Sequence, residues 1–594
     1  MCGIAGMVGR ADGDDRAAAL LAMHRAIEHR GPDDRGAWQS PHCQAAFVHT
    51  RLSIIDLSPA ARQPMTASDG RFTIIYNGEI YNFAELRAAL SSGGVPFHST
   101  SDTEVIVRLY ERDGPACVER LRGMFAFAIW DEKEKSCFIA RDRFGIKPLY
   151  FHEARGALLF ASEVRAVLAA GVSPEIDSIA ACQYFRTGSV PEPLTLIKGI
   201  RALEAGHYLL WREGRSTLKR YWHLTFPEPE PAADPAAITR DALIDSVKHH
   251  FVSDVPVGVF LSGGIDSTAL VAIARVLGDR ELRTFSLAFP GSPLDEGPVA
   301  RRTANHFKTT HQEWAVDGAS ARRLFDEFMA AADQPSIDGF NTFTVCRLAR
   351  RHDTKVVLSG LGGDELFGGY PSFREVPKLA RLATMARLTG PLGTGALRAA
   401  SRFGSSRLRR LSDLTTIPAG LESAYEVFRG IYTRDEARIL TRHYLGTDVP
   451  ADAQHHGGEF EPTQDSVSRL EMTRYMRNQL LRDADIMSMA SGVELRVPFI
   501  DPVLFDRLSR LPARDRLQRG KGLLRRAVSE IPEWVANRPK RGFMLPIQHW
   551  LEHEWSGTIA APTAPPSVAM DTWYRKWSLL AFQQWLQRVA PDHA

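Results

Sequence analysis

Two stretches of this 594-residue chain carry the residue types that handle a polyphosphate. FLSGGIDST (260–268) sets serine, two glycines and an aspartate between an apolar run and a helix-like run. Small residues there let backbone amides approach a ligand closely, and the N-terminus of the following helix favours an anion. An acid inside such a cradle, Asp266, repels phosphate unless a cation intervenes, and Mg2+ shared between carboxylates and phosphates removes the conflict. The string has neither the GxxxxGK[ST] of a P-loop nor the GxGxxG of a dinucleotide fingerprint. VVLSGLGGDELFGGY (356–370) repeats the order of strand, serine-glycine and glycine-flanked acid. Asp364 is therefore expected to complete the Mg2+ site, with Ser359 and Gly360 lining an adenylate pocket through backbone groups. The bland alternative for each stretch is a tight turn capping a helix, and the pairing of the two weakens it.

A second chemistry lies at the start, MCGIAG. A small side chain after the initiator methionine predicts its removal, which leaves Cys2 with a free α-amine of pKa about 8. Amine and thiol on one residue make a self-contained base and nucleophile. A lone Cys2 is open to an accidental reading, but its company is specific. YNGEIYN (76–82) offers Asn77 and Gly78 as oxyanion donors, one a side-chain amide and one a backbone N–H. Arg51, in HTRLSIID, can clamp a carboxylate bidentately, and Glu79 and Asp102 can bind an ammonium group. Carboxylate, ammonium and scissile carbonyl together describe an amino acid with a side-chain amide.

The elements that must position these groups fall into two patterns. Residues 1 to about 210 read as packed sheets with flanking helices: FTIIYNGEI (72–80), MFAFAIWD (124–131) and CFIARD (137–142) as buried strands, FAELRAALSSGG (83–94) and TEVIVRLYERDG (103–114) as helices ending at glycine. FPEPEPAADPAA (226–237) reads as a linker. Beyond it a helix at 241–251, a strand at 255–261, a helix at 268–278, a strand at 282–289, another helix and a strand at 355–360 alternate, which argues for a parallel, doubly wound α/β sheet. Ligands bind such sheets at the carboxyl ends of their strands. The expected organisation is 1–215, a linker 216–237, a second domain 238–558, and 559–594 as a loose connection with a last short helix. A formal charge of +3, 44% hydrophobic and 24% charged residues make no global case for nucleic acid or membrane. No apolar run reaches the length of a membrane span, no basic region precedes the first apolar stretch, and six scattered cysteines lack metal or disulfide spacing. A cytoplasmic chain with reduced thiols is expected.

Taken in order, MCGIAG, HRGPDDRG (29–36), RLSIID (51–56), YNGEIYN, SDTE (101–104), GMFAFAIWD and RDRFGIKPLYF (141–151) resemble a class II glutamine amidotransferase. LSGGIDS (261–267), SGLGGDELFGGY (359–370), VELRVPFID (493–501) and RPKRGF (538–543) resemble an N-type ATP pyrophosphatase. Over nearly its whole length the chain thus resembles the glutamine-dependent asparagine synthetase family. The resemblance implies an N-terminal-nucleophile hydrolase αββα sandwich followed by the doubly wound synthetase domain. It implies glutamine hydrolysis at Cys2, ammonia passing through an internal tunnel, and a carboxylate activated as an acyl-adenylate with release of pyrophosphate. The implied ATP-binding set is Ser262, Gly263, Gly264, Asp266, Ser267, Leu287, Ser359 and Gly360, with Mg2+ on Asp266 and Asp364 and Lys540 neutralising charge at the reacting centre. The implied partners are glutamine, ATP, aspartate or another small carboxylate, and a second copy in a homodimer.

Three departures bear on the acceptor. The residue after the second serine-glycine, commonly acidic in the family, is Leu361; the usual DEP is DQP (333–335); and basic residues of the DRxSM region are changed in RDADIMSM (482–489). Residues 374–410 are rich in arginine and nearly free of acids, and read as short amphipathic helices with either a solvated or inter-subunit face or a docking face. An ATP-dependent cyclase of the same fold typically lacks the nucleophilic cysteine, so Cys2, Arg51, Asn77 and Asp102 argue against one.

Overall fold

The computed structural model describes residues 2–9, 13–67, 69–278, 281–402, 405–450, 464–539, 542 and 544–591. The first half holds two six-stranded antiparallel sheets. One has Gly3–Val8 near its centre, between Ala45–Arg51 and Ala157–Ala161. The other is centred on Phe72–Ile80, Gly123–Asp131 and Ser136–Arg141, the three runs that read as buried strands. Ile4, Val8 and Phe47 from the first sheet meet Ile75, Ala126 and Trp130 from the second in one cluster, so the sheets pack face to face. The outer faces are covered too, the second by Phe83–Ser92 and Asp102–Asp113 and the first by Gly13–Ala26 and Ser178–Thr187. Strands covered on both faces need apolar side chains at nearly every position, which is why these runs do not alternate.

The second half is built on a five-stranded parallel sheet in the order Thr310–Ala315, Arg283–Ala288, Val257–Phe260, Val356–Leu358, Glu494–Arg496. The chain enters at the middle strand, builds outward to one side, then returns to build the other. The strand order therefore reverses beside Val257–Phe260, and the crevice at such a reversal is where doubly wound sheets bind ligands. The two glycine-rich turns end the two strands that flank it.

Two boundaries differ from expectation. The helix expected at 241–251 starts at Pro235, inside the proline-rich stretch; Asp234 caps it by accepting from Ala236 N and Ala237 N, both at 3.0 Å. Proline at a first helical position pre-sets the backbone for the helix rather than breaking it. The last helix is not short: Trp573–Val589 has 17 residues. Its Leu579, Phe582, Trp585 and Leu586 pack with Ala180, Tyr184 and Phe185 of the first half, and Tyr184 donates to the Ser578 carbonyl at 2.7 Å. This helix, which follows the stretch read as a loose connection, joins the two halves.

Candidate active sites

Cys2 stands at the start of the strand Gly3–Val8, opposite the middle of Phe72–Ile80 in the facing sheet. Its backbone nitrogen donates to Asn77 Oδ1 at 3.1 Å. That contact orients the amide so that Asn77 Nδ2 is buried with no acceptor among the described residues. A buried N–H2 left without a partner is costly unless a ligand oxygen meets it. Gly78 has φ +156°, and a Cβ there would lie 2.1 Å from the Met124 carbonyl oxygen, so only glycine brings this backbone in. Burial pushes the Cys2 thiol up, while the Leu52 N–H and the Arg51 guanidinium oppose it.

The remaining residues expected around glutamine are held differently. Arg51 ends its strand and donates through Nη1 to the Ser58 carbonyl at 3.1 Å and through Nη2 to the Asp56 carbonyl. Asp102, in the first turn of its helix, accepts from Tyr76 Oη at 2.9 Å and Ile80 N at 3.1 Å, and burial pushes its carboxyl up to about 6. Glu79 Oε1 lies 3.5 Å from Arg496 Nη2, and Glu79 Oε2 has no hydrogen-bond partner among the described residues. Burial, with the nearby Glu494, pushes Glu79 well above the usual carboxylate range. Arg496 was not singled out by sequence reasoning. It belongs to the second half, where its carbonyl accepts from Ser359 N at 2.8 Å.

Ser359 is part of the other centre, a cavity of about 570 Å3 at the strand ends. Ser262, Gly264, Asp266, Ser267, Leu287, Ser359, Gly360 and Asp364 all line it. Gly263 does not; its carbonyl accepts from Arg538 Nη1 at 3.0 Å. Hydroxyls shape the first turn, Ser262 N donating to Ser267 Oγ and Gly264 N to Ser262 Oγ, both at 3.2 Å. The glycines of the second turn make room for the acids. A Cβ at Gly363 would lie 2.4 Å from Asp266 Oδ1, and one at Gly369 would lie 1.9 Å from Asp364 Oδ1.

Both acids converge on one cation. Lys521 Nζ bonds Asp266 Oδ2 and lies 2.5 Å from Asp364 Oδ1. Burial pulls its ammonium down, yet the two carboxylates more than offset this and hold its pKa above the ordinary lysine value. Lys521, like Arg496, was not singled out from the sequence; RGKG gives no spacing cue, and the pairing with Asp266 spans 255 positions. Lys540 lies outside the described residues. Among the described residues no group of three or more histidine, cysteine or acidic side chains is placed to hold a metal ion by itself. A divalent ion at Asp266 and Asp364 would thus draw its other ligands from phosphate and water, and this donor set suits Mg2+.

Leu361 is half-buried on the cavity wall, packed against the main apolar cluster. Past it the wall is Tyr370, Tyr425, Arg429, Tyr475 and Asn478. Arg429 bonds Glu471 at 2.6 Å and lies 3.8 Å from the Tyr475 ring centroid. The other two departures face the first half instead. Asp333 accepts from Val164 N at 2.7 Å and Arg165 N at 2.9 Å, and Gln334 Oε1 accepts from Leu196 N at 2.9 Å. Asp485 pairs with Arg30 Nη2 at 2.6 Å and Lys147 Nζ at 3.3 Å. Arg30 in turn holds Glu163 at 2.8 Å and donates through Nε to the Cys2 carbonyl at 3.1 Å. One buried guanidinium therefore ties the Cys2 backbone to the second half.

Known proteins share this arrangement of halves. Residues 1–222 match the glutamine amidotransferase domain, and residues 239–587 match asparagine synthase. The chain is 35% identical to glutamine-hydrolyzing asparagine synthetase 1 of Bacillus subtilis, over 93% of this chain and 88% of that protein. It is 31% identical to glutamine-hydrolyzing asparagine synthetase 3 of the same organism, over 94% and 90%. With amidase chry2 of Gibberella zeae it shares 29% identity over 88% and 84%. Two matched domains in this order, and identity at this level across both, show that the chain belongs to the glutamine-hydrolysing asparagine synthetase family and is a glutamine-dependent carbon–nitrogen ligase.

Proposed function

We propose that the chain amidates a carboxylate with nitrogen from glutamine, through an acyl-adenylate, cleaving ATP to AMP and pyrophosphate. The observation that carries this reading is the convergence of Asp266 and Asp364, from neighbouring strand ends, on one cation beside a glycine-rich cradle. In the first half, assigned to residues 1–215, Cys2 is the nucleophile on the glutamine side-chain carbonyl. Asn77 Nδ2 and the Gly78 N–H receive the oxyanion, Arg51 takes the α-carboxylate, and Asp102 and Glu79 take the ammonium. A thioester forms as ammonia leaves, and water then releases glutamate.

In the second half, assigned to 238–558 and reached through 216–237, Ser262, Gly264, Ser267, Leu287, Ser359 and Gly360 cradle the nucleotide, and Gly263 shapes the turn behind it. The acceptor carboxylate attacks the α-phosphorus, pyrophosphate leaves, and ammonia displaces AMP. Mg2+ held by Asp266 and Asp364 would supply positive charge to the departing pyrophosphate. Lys521 adds a fixed cation at the same place, and Lys540 is assigned to the reacting phosphate and acyl centre by its motif.

L-Aspartate is the acceptor that the family relation favours, giving asparagine. A second reading, a different carboxylate such as a cell-envelope sugar acid or a peptide, is favoured by Leu361, since a leucine on the cavity wall neither accepts a proton nor binds an ammonium. Acceptor-dependent exchange of pyrophosphate into ATP separates the two. Strong exchange with aspartate supports the first reading; none with aspartate but exchange with another carboxylate establishes the second. Production of ADP in place of AMP would sink both. Cys2→Ala is expected to end glutamine use and spare amidation with free ammonia.

A further inference from the structure

The basic segment 374–410 plays no part in either centre, yet its surface is unlike the rest of the molecule. It carries nine arginines and lysines against one acid, a charge of +8, while the whole chain is +3, so the remaining residues sum to −5. Its first part folds as two consecutive helices, Ser372–Leu388 and Gly390–Arg402, which carry six of the nine cations and the one acid; Arg407, Arg409 and Arg410 lie beyond them. The first packs inward through Phe373, Val376, Leu379, Ala380 and Ala383 against the clusters that hold Tyr425 and Val427. Its other side exposes large apolar residues: Leu382 at 40%, Met385 at 64% and Leu388 at 82%, with Leu392 at 86% just past the turn.

At 100° per residue, Arg374, Lys378, Arg381, Leu382, Met385 and Leu388 fall within one arc of about 120°. The basic residues occupy the earlier turns and the apolar ones the later turns, ending at the helix–helix corner. Arg374 and Lys378 share the single acid Glu375. Basic side chains on one exposed arc with large apolar ones give the hairpin the character of an element that lies on a bilayer. A second copy of the chain is a poor occupant, because a two-fold contact would set this basic stripe against itself. A negatively charged lipid surface complements the charge and accepts the apolar corner.

We propose that the hairpin 372–402 docks the synthetase half onto an anionic phospholipid surface, with Met385, Leu388 and Leu392 entering the interface and Arg374, Lys378 and Arg381 contacting headgroups. The proposal is independent of which carboxylate is amidated. The test is co-sedimentation of the full chain with phosphatidylcholine vesicles, with and without phosphatidylglycerol. Sedimentation is expected only with phosphatidylglycerol and is expected to be lost as salt is raised. Leu388→Asp/Leu392→Asp, at exposed positions, should lower vesicle binding about tenfold or more while glutaminase activity stays unchanged. Lys378→Glu/Arg381→Glu should abolish the preference for phosphatidylglycerol. Failure of the unmodified chain to sediment at low salt overturns the proposal, as does unchanged binding by either variant. Self-association that disappears in the leucine variant would also overturn it, by showing that a second copy covers the hairpin.

Discussion

Replacing Lys521 by methionine removes one ammonium and keeps most of its stem. In the structure that ammonium touches Asp266 and Asp364 at once, and the side chains of both acids are 15% exposed. Two oxygens on one tetrahedral ammonium at such distances lie about 4 Å apart, where two like charges at a near-surface effective dielectric repel by about 4 kcal/mol. Lys521→Met should therefore destabilise the metal-free protein by about 4 kcal/mol, falling toward about 2 as the carboxylates turn away. Mg2+ can restore the missing charge, so the variant should gain far more from Mg2+ than the unmodified chain does. The assay is denaturant unfolding of both proteins in chelator and in Mg2+, without nucleotide. Pyrophosphate exchange should fall about 10²–10³-fold, because a fixed cation at the leaving group is lost. Glutaminase activity should be unchanged. A variant as stable as the parent in chelator, or stabilised equally with it by Mg2+, would refute the reasoning that Lys521 and a metal serve the same two carboxylates.

Three further outcomes are expected. Asn77→Ala removes the unpartnered Nδ2 and should lower glutamine hydrolysis about 10²–10³-fold, read as glutamate release, with ammonia-dependent amidation intact. Burial holds Asp102 at about 6, so the carboxylate that binds an ammonium is lost as pH falls through that value. The KM for glutamine should rise up to about tenfold per pH unit below it, and Asp102→Asn should flatten that profile. The sign for stability is opposite: a raised carboxyl pKa favours the neutral form in the fold, so its contribution is lost as pH rises through about 6. Arg30→Met breaks the buried pairs to Glu163 and Asp485 and should cost about 3–5 kcal/mol in denaturant unfolding. Asp485 keeps Lys147 Nζ at 3.3 Å in that variant, so adding Asp485→Leu should recover little of the loss.

The strands Phe72–Ile80 and Gly123–Asp131 were legible because burial on both faces leaves an unbroken apolar run. The two cradles were legible because close backbone approach demands glycine and serine in short order. The helix start at Pro235 was misread because proline signals both a linker and a first helical turn, and only the Asp234 cap decides between them.

The amino-acid sequence by itself determined the candidate nucleophile, the two glycine-rich turns and the alternation that builds a doubly wound sheet, since each rests on neighbours in the chain. Tertiary structure alone decided that Lys521 answers both acids, that Arg496 faces Glu79 while its carbonyl holds Ser359, and that Arg30 spans from Cys2 to Asp485. It also placed DQP and RDADIMSM against the first half and Leu361 on the cavity wall. The physical reason is that buried charges must find partners wherever packing brings them together, and packing sets those meetings by the order of strands in the sheet, which sequence spacing does not record.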